Sequence, residues 1–313
     1  MAASSLTSDA PAAFTPLEGV NVLSLALNLP GPATLMRCRR LGAHCTKLEA
    51  PPPPKAASSD PMGSYNPAAY ATLHEGVDVV FANLKTPDGQ VTLHELLAQT
   101  DVLITSFRPA ASVKLGLAWP LLHARHPRLC LVEIVGAPGA RADEPGHDLT
   151  YLAESGLVTG TALPPTLFAD MGGSLMASEA VMGALLRRAS SGEGVHVQVA
   201  LSEAAEYLAL PRQWGLTQPT GTVGGAHAGY RVYACADGRV AVAALEPHFA
   251  ASLCALAGIE PGDGVMFRSA THAGIAALLK TLRCTELDTL ARANDIPLHT
   301  MPDRDDDAAR RAS

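Results

Sequence analysis

The stretch EPGHDLTYLAESG, residues 144–156, sets an imidazole beside a carboxylate. Pro145 and Gly146 end the preceding element, and Leu149, Leu152 and Leu157 then follow in an apolar helical pattern. Two readings fit His147–Asp148. In one, Asp148 is the helix N-cap, accepting from the free amides of the first turn, and His147 only flanks it. In the other, His147 is a proton-transfer group in an active site. A further carboxylate, Asp170, stands in LFADMGG, where it reads as the cap of a helix running from Met171. That position also favours an ionised carboxylate, because the helix dipole is positive there. Gly172 and Gly173 follow it. A glycine pair lets backbone approach a substrate closely and present amides to a developing oxyanion.

Other chemistries lack their residues. His123 and His126, in HARH, have no Cys, Asp or Glu partner at ligand spacing, so no metal is expected. The first strand–helix turn, LNLPGPATLM, carries one glycine and not G-x-G-x-x-G, so a dinucleotide fingerprint is missing. Neither a G-x-x-x-x-G-K-[ST] loop nor a G-x-S-x-G elbow occurs. The six cysteines include no C-x-x-C, and most fall in apolar patterns. They are expected to be buried, reduced thiols of a cytoplasmic protein. A net charge of −7 argues against a nucleic-acid surface. No apolar run is long enough for a membrane span, and the N-terminus lacks the basic and apolar regions of a secretory signal.

The elements that must position these residues alternate. GVNVLSLAL, HCTKLEA, VDVVFANL, DVLITSF and RLCLVEIVGA read as strands, with helical patterns between most of them. Near-continuous apolar strands separated by helices predict an α/β fold whose open, Rossmann-like parallel sheet is covered on both faces. PPPPKAASSDPMGS predicts a loop. Beyond residue 147 the chain turns helical, with one more strand, VHVQVAL. YRVYACADGRVAVAAL predicts a hairpin turning at Asp237-Gly238, followed by helices. The expected layout is a disordered lead-in, 1–15; a large α/β domain, 16–210; a linker, 211–224; a small α+β domain, 225–296; and a short tail, 297–313.

The order of segments resembles the family III CoA transferases of the CaiB/BaiF type, which include the α-methylacyl-CoA racemases. PLEGVNVLSLALNLPGPATLM, LGAHCTKLEAP, NLKTPDGQ with DVLITSFRP, PRLCLVEIVG with EPGHDLTY, TLFADMGG and AALEPHF carry the likeness, in order, across residues 16–300. The resemblance implies an interlocked homodimer and a small-molecule acyl-CoA substrate, with coenzyme A part of that substrate and no tightly bound cofactor. In the transferases the aspartate matched by Asp170 attacks the thioester to give a mixed anhydride. In the racemases it is a proton carrier, faced across the substrate α-carbon by the histidine of GHD, here His147. A glutamate supports that histidine, here Glu246 in ALEPHF. The match to His147 and Glu246 favours the racemase-like branch, α-proton transfer on 2-methylacyl-CoA thioesters. CoA transfer through Asp170 is the alternative, and a catalytically weakened paralogue acting as a binding subunit is the third. Arg108, in SFRP, matches a family arginine and is a CoA-side candidate.

The sequence departs from the family in three places. HEGVDVVFANL offers Glu75 and Asp78 where the family carries bases that hold the CoA phosphates. Arg39, with Arg37 and Arg40 in MRCRRLG, either supplies such contacts or forms a solvated helix face. The separation of His147 from Asp170, 23 positions, is shorter than in racemases. The resemblance also implies a return segment after DIPLHTMP, which is expected to be truncated.

Overall fold

The computed structural model of the chain describes residues 14–303. Most of the expected lead-in, residues 1–13, and the end of the expected tail, residues 304–313, lie outside the described residues. The chain divides into two compact units, one through Ala209 and one from Leu210.

The first unit is built on six parallel strands: β1 (Asn21–Ser24), β2 (His44–Glu49), β3 (Asp78–Phe81), β4 (Val102–Thr105), β5 (Cys130–Val135) and β6 (His196–Ala200). Their order across the sheet is β3-β2-β1-β4-β5-β6. Helices connect them: α1 (Pro30–Arg40), α2 (Pro61–Tyr65), α3 (Pro67–Leu73), α4 (Pro87–Leu97), α5 (Pro109–Lys114), α6 (Trp119–Arg125), α7 (Asp148–Glu154) and α8 (Phe168–Ser191), with α9 (Leu201–Gln213) after β6.

Alternate residues of a strand face opposite sides of a sheet. Val22, Ile104 and Val132 enter a core shared with Leu35, Leu152 and Val181. Their chain neighbours Leu23, Leu103 and Leu131 enter a separate core with Leu93, Leu97 and Leu122. Both faces are covered, which is why these strands read as continuous apolar runs. Each such side chain contributes about 1.5–3 kcal/mol on burial. The strand order reverses between β1 and β4, and open α/β sheets bind ligands at the carboxyl ends of the strands flanking such a switch.

The second unit carries an antiparallel sheet of β7 (Tyr230–Cys235), β8 (Gly238–Ala243) and β9 (Leu298–Pro302), in that order. It packs with α10 (Pro247–Leu256), α11 (Ser269–Thr281) and α12 (Cys284–Asn294) around Val240, Leu253, Ile275 and Leu287.

Four local expectations are corrected. Residues 211–213, expected as linker, continue α9 through Pro211. Pro211 withholds a donor from the Tyr207 carbonyl, but Tyr207 is exposed and water can serve that group. Residues 298–302, expected as tail, pair with β8. The hairpin closes Cys235 on Gly238, so Ala236 and Asp237 are its two turn residues. The stretch expected as one loop ends in α2. The Asp60 carboxylate accepts the Met62 N–H at 3.0 Å and a proline follows the cap, a pairing that suits a helix start.

Candidate active site

A cleft of about 220 Å³ opens in the first unit. Its walls are the chain leaving β1 (Leu27, Asn28), β4 (Phe107, Arg108) and β5 (Gly136), joined by His147, Tyr151 and Asp170. These are the carboxyl ends of the strands beside the switch point.

The loop after β1 is pinned from two sides. The Leu27 N–H donates to Ser106 Oγ at 2.9 Å, and the Asn28 N–H donates to Asp60 Oδ1 at 3.1 Å. Asn28 holds a left-handed φ of 63°, which asparagine tolerates better than most side chains. Asp60 is in turn anchored by Lys47 Nζ at 2.5 Å, and Lys47 also lies 3.3 Å from Glu49. Glu49 accepts the hydroxyls of Ser58 at 2.6 Å and Tyr70 at 2.5 Å. Lys47, Glu49 and Asp60 are all buried. The ion pairs and hydroxyl donors that meet these charges are what make their burial tolerable.

His147 is the N-cap of α7, correcting the assignment of that place to Asp148. Its backbone N–H donates to Thr150 Oγ1 at 3.0 Å, and the Thr150 hydroxyl donates to the His147 carbonyl at 2.7 Å. These bonds fix the backbone and leave the imidazole exposed at the cleft wall.

Asp148 is the first residue of α7 and is buried. Its Oδ1 accepts the Asp170 N–H at 3.0 Å. Helix α8 begins at Phe168, so Asp170 is a first-turn residue and not a cap. Its amide is one of the donors a helix start leaves unpaired, and Asp148 satisfies it across the chain. Burial first, and the charge of Asp148 second, push the Asp170 carboxyl up from 3.8 to about 7. The α8 dipole opposes this shift.

Sequence reasoning placed Asp148 at a helix start but missed what its carboxylate holds. It also missed Tyr151, a buried side chain on the cleft wall. Burial, and then the nearby Asp170 charge, raise the Tyr151 phenol above its ordinary value, which keeps it a neutral donor. Its hydroxyl lies where a side chain on Gly136 or Gly146 would collide with it. The alternation of Gly136, Gly146 and Tyr151 in sequence carries no signal of that contact.

The remaining candidates fall elsewhere. Arg108 caps α5 without a side-chain bond and reaches the cleft wall. Arg39 stands at the last turn of α1, about 14 Å of helix axis from Pro30 at the cleft. Its guanidinium packs against Gly76, ahead of β3 at the amino ends of the strands. Glu75 and Asp78 occupy that same end, so the acidic departure does not face the cleft. Gly172 and Gly173 serve helix packing. A Cβ on Gly173 would sit 2.3 Å from Leu201 Cδ2, and one on Gly172 would sit 3.1 Å from Leu208 Cδ1. Glu246 belongs to the second unit, where it is the N-cap of α10.

A second cavity, also about 220 Å³, shares Leu27 and Phe107 with the first. It is lined by Leu48, Ala82 and Leu84, with Asn83 and Lys85 among its polar groups.

The model of CoA-transferase family III matches residues 17–310. The chain belongs to this family. It is 31% identical over 205 residues to the cinnamoyl-CoA:phenyllactate CoA-transferase of Clostridium sporogenes, covering 61% of this chain and 50% of that protein. It is 29% identical over 252 residues to human α-methylacyl-CoA racemase, covering 74% of this chain and 62% of that protein. The chain thus spans between half and two thirds of the length of these curated relatives. The crystal structure of the hypothetical protein Rv3272 from Mycobacterium tuberculosis superimposes with a TM-score of 0.76 at 26% identity, covering 91% of this chain and 82% of that one. Family III members thus include both transferases and racemases. Among the described residues, no helix is long and apolar enough to cross a membrane.

Proposed function

We propose that this family III protein moves the α-proton of a 2-methylacyl-CoA thioester. The observation that carries this reading is the presence of His147 and Asp170 in the wall of one cleft, despite their short separation in sequence. One base removes the α-proton to give an enolate, and the other returns a proton to the opposite face. A carboxyl that titrates near 7 is half protonated at neutral pH, so Asp170 serves as either acid or base. Tyr151 supplies a hydrogen-bond donor for the enolate oxygen.

The second cavity takes the nucleotide end of the coenzyme, with Lys85 meeting phosphate and apolar side chains meeting the base. Arg108, on the wall of the first cleft beside Phe107, which both cavities share, neutralises phosphate charge. Arg39, Gly172 and Gly173 have no part in this reading. A second copy of the chain covers the apolar side chains exposed on α8 and α9, among them Met171, Leu175, Tyr207 and Leu208.

CoA transfer through an Asp170 anhydride is the second reading, favoured by the identity to the Clostridium transferase. Incubation with 2-methylacyl-CoA in D₂O, followed by NMR of the α-proton, separates the two. Loss of the α-proton signal supports proton transfer. No loss, together with CoA transfer to an added free acid that Asp170→Asn abolishes, replaces it with the second reading.

A further inference from the structure

The six cysteines are scattered in sequence, but the core of the second unit brings two of them together. Cys235 ends β7 and Cys284 opens α12, 49 positions later. Their sulfurs stand 3.6 Å apart. Backbone bonds hold both ends in place. The Ala236 N–H donates to the Leu282 carbonyl at 2.8 Å, and the Cys284 N–H donates to Asp237 Oδ1 at 2.7 Å. Cys284 is fully buried, whereas Cys235 keeps 8% of its surface exposed.

We propose that Cys235 and Cys284 form a disulfide by exchange with a small disulfide such as oxidised glutathione. The inference does not depend on which acyl-CoA reaction the first unit performs. Cys235, the less deeply buried partner, loses its proton and attacks one glutathione sulfur. The glutathione S–S bond breaks and the departing thiolate takes up a proton. Cys284 then loses its proton and attacks the Cys235 sulfur of the mixed disulfide, releasing the second glutathione. Two protein thiols are oxidised and one small disulfide is reduced to two thiols. The sulfurs close from van der Waals contact to about 2.05 Å, the ordinary bond length.

Burial pushes the Cys284 thiol up to about 12, so its thiolate is scarce and formation is slow at neutral pH. The same burial shields the finished bond from reductants. The bond closes a long loop and restricts the unfolded chain. A metal ion is the competing occupant, because Asp237 joins the two sulfurs within 4.8 Å. Its carboxylate, however, already accepts the Cys284 amide and pairs with Arg283 at 3.3 Å. The site therefore suits bond formation between sulfurs better than a cation.

The test uses the full chain, reduced and then held with oxidised glutathione at mildly alkaline pH. Free thiols are alkylated in denaturant and the peptides mapped by mass spectrometry. The expected result is loss of two of the six thiols, a mass lower by two hydrogens, and a linked peptide containing Cys235 and Cys284. Dithiothreitol in denaturant, where the bond is no longer shielded, should reverse it. Cys235→Ser and Cys284→Ala should each abolish the link, so the failure of one variant to fold leaves the other as control. Six alkylated thiols would overturn the proposal. So would a stable glutathione adduct on Cys235, or two thiols protected by added zinc alone with no loss of mass under glutathione disulfide.

Discussion

The Asp148 carboxylate holds the backbone amide of Asp170 at 3.0 Å, across 22 positions of sequence. One bond therefore joins the start of α7 to the first turn of α8. It fixes the Asp170 backbone while the charge of Asp148 raises the Asp170 carboxyl. Asp148 is a positioning residue for Asp170, and His147, its chain neighbour, points to the same cleft.

Replacing Asp148 with asparagine keeps an oxygen for the Asp170 amide and removes the charge. The Asp170 carboxyl should then titrate below its present value near 7, as followed by carbon-13 NMR of labelled aspartate. An unchanged midpoint would mean that burial alone sets it. Asp148→Ala also removes the acceptor and should cost about 1–3 kcal/mol in urea unfolding.

The raised carboxyl also sets a pH dependence of stability. An aspartate whose folded value lies above its unfolded value is stabilising while protonated. That contribution is complete below 3.8 and is lost as pH rises toward about 7. Asp170→Asn should therefore be more stable than the parent at pH well above 7, by up to about 4 kcal/mol. The advantage should disappear near the unfolded value. Denaturant titrations at the two extremes check both the sign and the crossover.

Much of the fold was legible because strands and helices announce themselves through period and punctuation. GVNVLSLAL and RLCLVEIVG read as buried strands because both faces of the sheet are covered. The turn at Ala236 and Asp237 was misread by one residue, since a glycine after aspartate also fits a later register. The linker expected from residue 211 begins only after α9, because Pro211 lies in that helix's last turn and the carbonyl it leaves unpaired belongs to the exposed Tyr207. Asp170 and His147 were legible through motifs. The bond from Asp148 to Asp170 and the Cys235–Cys284 contact join residues distant along the chain, and a single sequence holds no record of such pairings.

The glycine at 173 should prove a packing requirement. Gly173→Ala places a methyl against Leu201 and should cost about 1–2 kcal/mol. Added to a Leu201→Ala background, the same change should cost less, because the colliding methyl is gone. Equal costs in the two backgrounds, measured by chemical denaturation, would remove the Leu201 contact as the cause.

The buried cation at 47 is a harder constraint. Lys47→Met leaves Glu49 and Asp60 buried without their counter-charge and should destabilise the first unit by about 3–5 kcal/mol. The loop at Asn28 should loosen with it, seen as faster amide hydrogen exchange at Leu27 and Asn28. Unchanged exchange there would separate the ion cluster from the cleft.

The most direct test of two bases at one carbon is enantiomer-resolved exchange in D₂O. Each pure 2-methylacyl-CoA enantiomer is incubated with wild type, Asp170→Asn and His147→Gln, and both deuterium incorporation and configuration are followed. With one base on each face, each variant should stop inversion but still exchange the enantiomer served by the base it retains, and the two variants should retain opposite enantiomers. Both variants retaining the same enantiomer, or inversion surviving in either, would contradict a shared role for His147 and Asp170.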